Sequence, residues 1–321
     1  MKVAMFIHGS GYEKNQVLAA KEAGILVFAP FKKGIIKKIF RLHNANPLNK
    51  KFELPFKPLW FRRLLKGMDI NKEDDIYFLF YESFNISYSA KFLSYLKKRF
   101  PTSRNYFIFT NPPDEYNTSR VTGVRHLYDF IVSDVKDLAE KNGYLFYPFN
   151  PMSFPRESLK SNYNSDVFFV GADKGRLPIL LSIFELLQAN GLKCDFNIVG
   201  VPAEKQRYAN QISYNHPLSY DEVIKRILQS KCVLEIVQKG LNYYTFRVTE
   251  AMLMHKKLIS TNTELSNDTI FNDKILKTFS LSDPIKNDWV DFINQQVEDK
   301  DFPDSSYWSF QRFIEFLSQS E

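Results

Sequence analysis

The sequence predicts an α/β chain of two doubly wound, Rossmann-like domains in tandem, and three observations carry that expectation. Short apolar runs rich in β-branched and aromatic residues alternate with longer stretches of helical period, the pattern of parallel strands joined by crossover helices. The rhythm breaks once, between Pro148 and Ser165, where three prolines and three asparagines stand among few apolar residues, and it restarts with Asp166-Val-Phe-Phe-Val-Gly171, a strand running into a glycine turn. The length of 321 residues also fits two cores at roughly 150 residues per domain.

Taken in order, the expected strands of the first half are Val3 to His8, Ile25 to Ala29, Ile76 to Tyr81, Tyr106 to Thr110, Phe130 to Ser133 and Tyr144 to Tyr147. Those of the second half are Val167 to Gly171, Phe196 to Gly200, Cys232 to Val237, Lys257 to Ser260 and Ile275 to Phe279. Helices are expected where Leu177, Leu180, Leu181, Phe184 and Leu187 share one face, and again where Val223, Ile224, Ile227 and Leu228 do. A last helical segment, Tyr307 to Leu317, follows the start signal Pro303-Asp304-Ser305. The expected domains are therefore 1–150 and 151–303, with 304–321 returning to the first and a cleft between facing strand ends.

Composition excludes several classes. With 44% hydrophobic, 25% charged and 16% aromatic residues, the chain is neither disordered nor collagenous nor a coiled-coil rod. Cys194 and Cys232 form no CxxC or Cys/His cluster, which argues against a zinc site or a disulfide framework, and both read as small core hydrophobes in a reducing cytosol. The five apolar residues from Val3 to Ile7 are too short a run for a signal peptide. Nowhere do 18 uncharged apolar residues follow one another, so any membrane contact is expected to be peripheral, at the inner face of the cell membrane.

Charge is segregated. Residues 32–67 carry eleven Lys and Arg (Lys32, Lys33, Lys37, Lys38, Arg41, Lys50, Lys51, Lys57, Arg62, Arg63, Lys66) against Glu53 alone, a net +10 in a chain of net +7, so the remainder is −3. Ile35, Ile36, Ile39, Phe40, Leu59, Trp60 and Phe61 interleave with these cations, in a pattern that permits short amphipathic helices at 35–42 and 59–67. Two readings stand open: a solvated surface over an apolar underside, or a face for an anionic membrane. A nucleic-acid groove ranks below both, because no RNA- or DNA-binding motif accompanies the charge.

The stretch most informative about chemistry runs from Cys232 to Ser260 and reads strand, loop with Gly240, helix, strand. A helix opening near Thr245 aims free backbone amides at its mouth, an anion site. Arg247 in the first turn can add a fork to a phosphate oxygen, and Glu250, one turn in, offers an acceptor to ribose hydroxyls. Tyr243 and Tyr244 either face a sugar or fill the loop, and Glu235, inside an apolar strand, is either a rim residue or paired. In the first domain His8 ends a strand and is either a general base or structural. Glu82 ends another strand, facing ligand or capping a helix, while Asn111-Pro-Pro-Asp114 and His126 read as loop structure. Ser219 with Glu222 three residues on forms a capping-box pattern after Tyr214, His216 and Pro217. No acidic pair implies a metal, and no cofactor is called for.

Glu250-Ala251-Met252 followed by Lys257-Leu-Ile-Ser260, Phe169-Val-Gly-Ala-Asp-Lys-Gly-Arg-Leu177 and Phe196-Asn-Ile-Val-Gly200 together resemble the GT-B glycosyltransferases, and among them the family 4-like group with a Glu, seven residues and a second Glu-Ala. Asp195-Phe196, Leu218-Ser-Tyr-Asp-Glu-Val223 and the Thr-x-Arg-x-x-Glu-Ala run at Thr245 are similar to bacterial capsule and lipopolysaccharide biosynthesis proteins. The resemblance spans about residues 129–262. It implies a two-domain GT-B fold and transfer of a sugar, a hexose by expectation, from a nucleotide-sugar donor to a cell-surface polysaccharide or lipid-linked glycan. It further implies that Glu250 holds the donor ribose, that Lys174 or Arg176 near Gly171 stabilises the leaving diphosphate, and that the main chain near Leu218 meets the base. Gly9 and Gly11 answer to the family's glycine turn beside the donor phosphates; a tight turn explains them as well. Where the family has its first glutamate this chain has Asn242, so a GT-B-like partner subunit without catalysis is the alternative.

Overall fold

The structure is a computed structural model that describes residues 1–9, 11–28, 34–44, 54–66, 68–110, 115–154, 163–237, 244–281 and 288–320, excluding the side chains of residues 37, 41 and 115–117. Its contacts divide the chain into one unit of Met1–Met152 with Ser309–Glu321 and a second of Ser153–Trp308. The expected fold class holds: each unit is a six-stranded, wholly parallel sheet with crossover helices.

In the first unit β1 (Lys2–Phe6), β2 (Leu26–Phe28), β3 (Ile76–Tyr81), β4 (Arg104–Ile108), β5 (Phe130–Ser133) and β6 (Leu145–Phe146) lie in the order β2-β1-β3-β4-β5-β6. The strand Ile-Tyr-Phe-Leu-Phe-Tyr of β3 is buried along its whole length, as a strand covered on both faces must be. Its aromatic residues pack with those of its neighbours: Phe6 stacks on Phe80 at 4.8 Å between ring centroids and meets Phe92 edge-on at 5.6 Å. The helices are α1 (Glu13–Glu22), α2 (Ile35–His43), α3 (Pro58–Leu65), α4 (Ala90–Arg99), α5 (Glu115–Val124) and α6 (Lys136–Asn142). Ser89 caps α4 by accepting from the Phe92 amide.

In the second unit β7 (Ser165–Ala172), β8 (Cys194–Val199), β9 (Ser213–Tyr214), β10 (Ser230–Glu235), β11 (Lys257–Ser260) and β12 (Leu276–Thr278) form the order β12-β11-β10-β7-β8-β9. Its helices are α7 (Leu177–Ala189), α8 (Tyr220–Leu228), α9 (Phe246–Leu253) and α10 (Asp288–Asn294). The apolar face expected on α7 is real: Leu177, Leu180, Leu181, Phe184 and Leu187 are all buried against the sheet core. β9, an edge strand of two residues, was not expected; it is too short to show a period. The last helix, α11 (Phe310–Gln319), places Phe313 and Phe316 against Tyr147 of the first unit at 4.8 and 4.9 Å. Among the described residues no helix is long and apolar enough to cross a membrane.

Candidate functional site

The strand order of the second unit sends the chain one way from β7 to β8 and the other way from β10 to β11. Loops leaving these adjacent strands diverge, and the crevice at their carboxyl ends is where open α/β sheets take ligands. Residues singled out from the sequence collect at this point.

After β7 the backbone turns through left-handed conformations at Lys174 (φ 46) and Gly175 (φ 81), and the Asp173 carboxylate accepts from the Leu177 amide at 2.7 Å to start α7. Lys174 is exposed on this turn. Arg176 behaves differently from expectation. Its Nη1 donates to the carbonyl of Ile236 at 2.6 Å, its Nε to that of Asp173 at 3.2 Å and its Nη2 to that of Ala172, with the guanidinium 5.6 Å from the Phe169 ring centroid. The group expected to meet a diphosphate instead ties the end of β7 to the residue after β10. Carbonyls at diverging strand ends lack ladder partners, and a planar fork of donors satisfies several at once. Gly171 makes room for it: a Cβ there would lie 2.9 Å from Arg176 Nη2.

The mouth of α9 follows β10 along the chain and is built on buried polar contacts. Thr245 is the N-cap, its Oγ1 accepting from the Arg247 amide at 3.1 Å. The same hydroxyl donates to Glu235 Oε1, which orients its lone pairs toward the helix amides. Glu235, the last residue of β10 and 3% exposed, also accepts from the Ser260 hydroxyl of β11. Burial raises its carboxyl above the ordinary range, with the hydrogen bonds from Ser260 and Thr245 opposing. Of the two sequence readings of Glu235, the paired one is observed. Sequence reasoning missed its partner Ser260, which is 25 residues away.

Glu250 is fully buried within α9, and both its oxygens are engaged. Oε1 accepts from the Tyr220 hydroxyl of α8 at 2.8 Å, and Oε2 from Arg247 Nη1 one turn earlier. Burial raises its carboxyl, against Arg247 and Tyr220. The expected open acceptor for a ribose is thus a closed triad of Tyr220, Glu250 and Arg247. The expected anion fork of Arg247, still partly exposed, spends one arm on Glu250. Tyr220 was overlooked, although it sits in the Leu218-Ser-Tyr-Asp-Glu-Val run; a tyrosine at a helix start gives no sign of its distant partner.

Leu218 is half-buried just ahead of Ser219, which caps α8 by accepting from the Glu222 amide at 3.2 Å. The reciprocal arm expected of Glu222 goes elsewhere: its carboxylate accepts from Arg226 Nε at 3.2 Å, and Arg226 Nη1 continues to Asp195 at 2.9 Å. A cation one turn away outcompetes a backbone amide for a carboxylate. Tyr214 donates its hydroxyl to the Arg207 carbonyl at 2.7 Å, while His216 and Pro217 are exposed. Tyr244 donates its hydroxyl to Asp268 Oδ2 at 3.0 Å. Gly240, Asn242 and Tyr243 lie outside the described residues. Burial pushes both the Cys194 and Cys232 thiols up to about 12, as apolar packing does. Among the described residues no group of three His, Cys, Asp or Glu stands close enough to hold a metal ion.

In the first unit, Gly9 (φ 70) and Gly11 (φ 60) are both left-handed, the conformation glycine allows between β1 and α1, and His8 before them is half-buried. Glu82 Oε1 accepts from the Thr110 amide at 3.3 Å and hydroxyl at 3.1 Å, joining the ends of β3 and β4. His126 is exposed in a 3-10 turn, and residues 111–114 lie outside the described residues. One residue was not foreseen. Asp134, directly after β5, is 3% exposed, with Oδ2 accepting from Asn150 Nδ2 at 3.3 Å and Oδ1 without a partner among the described residues. Burial, aided by the nearby Glu82 charge and opposed by Asn150, raises its carboxyl to about 7.

No protein-family profile and no curated protein matches this sequence. Solved structures do resemble it. LpCGTa in complex with UDP is similar over 99% of each chain, with TM-score 0.47 and 10% identity. An alpha-glucosyltransferase in complex with UDP and a 13-mer DNA is similar over 86% of this chain and 81% of its own, with TM-score 0.47 and 13% identity. The Glycosylation Associate Protein (Gap123) complex from Streptococcus agalactiae is similar over 70% of this chain, which spans about half (49%) of that protein's length, with TM-score 0.44 and 14% identity. At these values the likeness gives no residue-by-residue correspondence.

Proposed function

We propose that this chain is a glycosyltransferase of GT-B architecture that binds a nucleotide-sugar at the carboxyl edge of its second sheet and transfers the sugar, a hexose, to a cell-surface polysaccharide or lipid-linked glycan in the cytoplasm. The observation that carries the reading is the mouth of α9 at the β7/β10 switch point, where Thr245, Arg247 and Glu250 stand in the order of the Thr-x-Arg-x-x-Glu-Ala run.

The chemistry follows from what these groups can offer. The α9 amides and the exposed Lys174 present positive charge to a diphosphate, and Arg247 adds a fork when a phosphate oxygen replaces its bond to Glu250. Glu250, released from Arg247, accepts from ribose hydroxyls while Tyr220 holds its other oxygen. A charged hydrogen bond of this kind contributes about 1.5–3 kcal/mol. As an acceptor hydroxyl oxygen bonds to the anomeric carbon, its proton passing to water, the bond from that carbon to the diphosphate breaks, negative charge grows on the leaving oxygen, and fixed donors stabilise it more than they stabilise the ground state. Arg176 holds the β7 turn in place and serves as a positioning residue. No metal and no cofactor enters the proposal.

A thermal-shift panel of UDP-, GDP-, CMP- and TDP-sugars tests it. One nucleotide should raise the melting temperature in a saturable way and, with an acceptor glycan, support release of the nucleoside diphosphate. No shift with any donor would overturn the reading. Saturable binding without donor hydrolysis or transfer would leave the partner-subunit reading instead.

A further inference from the structure

The first unit carries an apolar stripe on the outside of its basic segment. On α2, Ile35, Ile39 and Leu42 follow one another at i, i+4 and i+7 and are 73%, 50% and 66% exposed, while Phe40 on the opposite side is buried. Helical spacing puts the three on one face, and it is the face turned to solvent. Leu59 at the start of α3 and Phe56 just before it are exposed to the same degree, at 74% and 73%.

The stripe is firmly mounted. Trp60 of α3 meets Phe40 edge-on at 5.3 Å and donates Nε1 to His43 Nδ1 at 2.9 Å. Lys57 Nζ, itself buried, donates to Asn44 Oδ1 at 3.0 Å, and Asn44 returns a bond to the Phe40 carbonyl at 2.9 Å. Phe61, Leu64 and Leu65 root α3 in the core. With Ile36 also exposed, the two helices and the residues leading into the second keep six large apolar side chains in water, while the anchoring residues are satisfied within the fold. Exposed cations share the helical faces of these residues: Lys38 follows Ile35 at i+3, and Arg62, Arg63 and Lys66 follow Leu59 at i+3, i+4 and i+7, while residues 34–44 and 54–66 contain no carboxylate.

We propose that this face docks on the surface of an anionic lipid bilayer, the apolar side chains entering the headgroup and acyl boundary and the cations pairing with lipid phosphates. Charge complementarity favours this occupant. Two helical segments that carry cations and no carboxylate repel a second copy of themselves, whereas an anionic bilayer satisfies the cations and takes up the apolar side chains together. The inference stands apart from the sugar-transfer reading, since none of these residues belongs to the α9 site.

Co-sedimentation of the full chain with vesicles of phosphatidylglycerol and phosphatidylcholine, against phosphatidylcholine alone, tests it. Binding should be at least tenfold tighter to the anionic vesicles. Ile39→Ser with Leu42→Ser and Leu59→Ser should weaken it tenfold or more, and Lys38→Gln with Arg62→Gln and Lys66→Gln should do the same. Because every substituted side chain is exposed, both variants should melt like the parent and bind nucleotide as it does. Equal binding to both vesicle types, no binding, or variants that bind like the parent would overturn the proposal. So would a dimer in solution that dissociates on the Leu42 substitution, or a nucleic-acid duplex that displaces the vesicles in equal charge concentration.

Discussion

The two sheets end differently. At the carboxyl edge of the second sheet the two buried carboxylates and the strand-end carbonyls are answered within the chain: Glu235 by Thr245 and Ser260, Glu250 by Tyr220 and Arg247, and the carbonyls by Arg176. At the corresponding edge of the first sheet, Asp134 Oδ1 and the hydroxyls of Tyr81 and Tyr147 are buried without a partner among the described residues. The second edge is held by its own hydrogen bonds, of which the Arg247–Glu250 pair must open for a donor to enter, whereas the first edge leaves a buried carboxyl oxygen unanswered among the described residues. The difference teaches where each kind of perturbation should be felt.

The largest effect is expected where the closed network is cut. Arg176→Ala removes donors to three carbonyls and should destabilise the chain by about 3 kcal/mol. Urea unfolding would register this, and a loss below 1 kcal/mol would mean that the clamp is ornamental. Next comes the open edge. The Asp134 carboxyl has a folded value of about 7, above its ordinary unfolded value, so the native state binds the extra proton. Stability through this group is full below about pH 4 and is lost as pH rises toward 7, by on the order of 2 kcal/mol between pH 5 and pH 8. Asp134→Asn should flatten that slope in melting curves across pH; an unchanged slope would place the pH sensitivity elsewhere.

Smaller effects probe the fit of the α9 mouth. Glu250→Ala should weaken the stabilising nucleotide by about tenfold, near 1.4 kcal/mol, in a calorimetric titration. Affinity equal to the parent's would remove Glu250 from the ribose. Gly171→Ala pushes a methyl toward the Arg176 guanidinium and should cost about 1 kcal/mol. Combined with Arg176→Ala, which removes the nearer obstacle and leaves Phe169 Cζ at 3.3 Å, the same substitution should cost less than it does alone, and additivity of the two would contradict the contact.

Much of the fold was legible because strands and helices write their period locally. The Lys257–Ser260 strand was found at its observed bounds, and Thr245 was read as the start of the helix it caps. Edges were less legible: the strand expected over Ile25 to Ala29 starts at Leu26, with Ala29 outside the described residues, Tyr144 to Tyr147 shrinks to Leu145–Phe146, and Ser213–Tyr214 escaped notice. Edge strands gain little from pattern and are bounded by their neighbour's hydrogen bonds. In the site, residue types were legible and partners were not. Arg176 and Glu250 were chosen for charges that could meet a ligand, yet in the folded chain each charge first meets groups of its own backbone or of helices far along the sequence. The need to satisfy buried polar atoms is imposed by burial, which a single sequence shows only through periodicity.

The central claim is that a nucleotide-sugar settles at the opening of α9. Amide hydrogen exchange with and without the best-stabilising donor tests it directly. Protection is predicted at Phe246, Arg247 and Val248 and in the turn from Asp173 to Arg176. A bound donor that leaves these amides exchanging at their free rate, while protecting another part of the chain, would contradict the account.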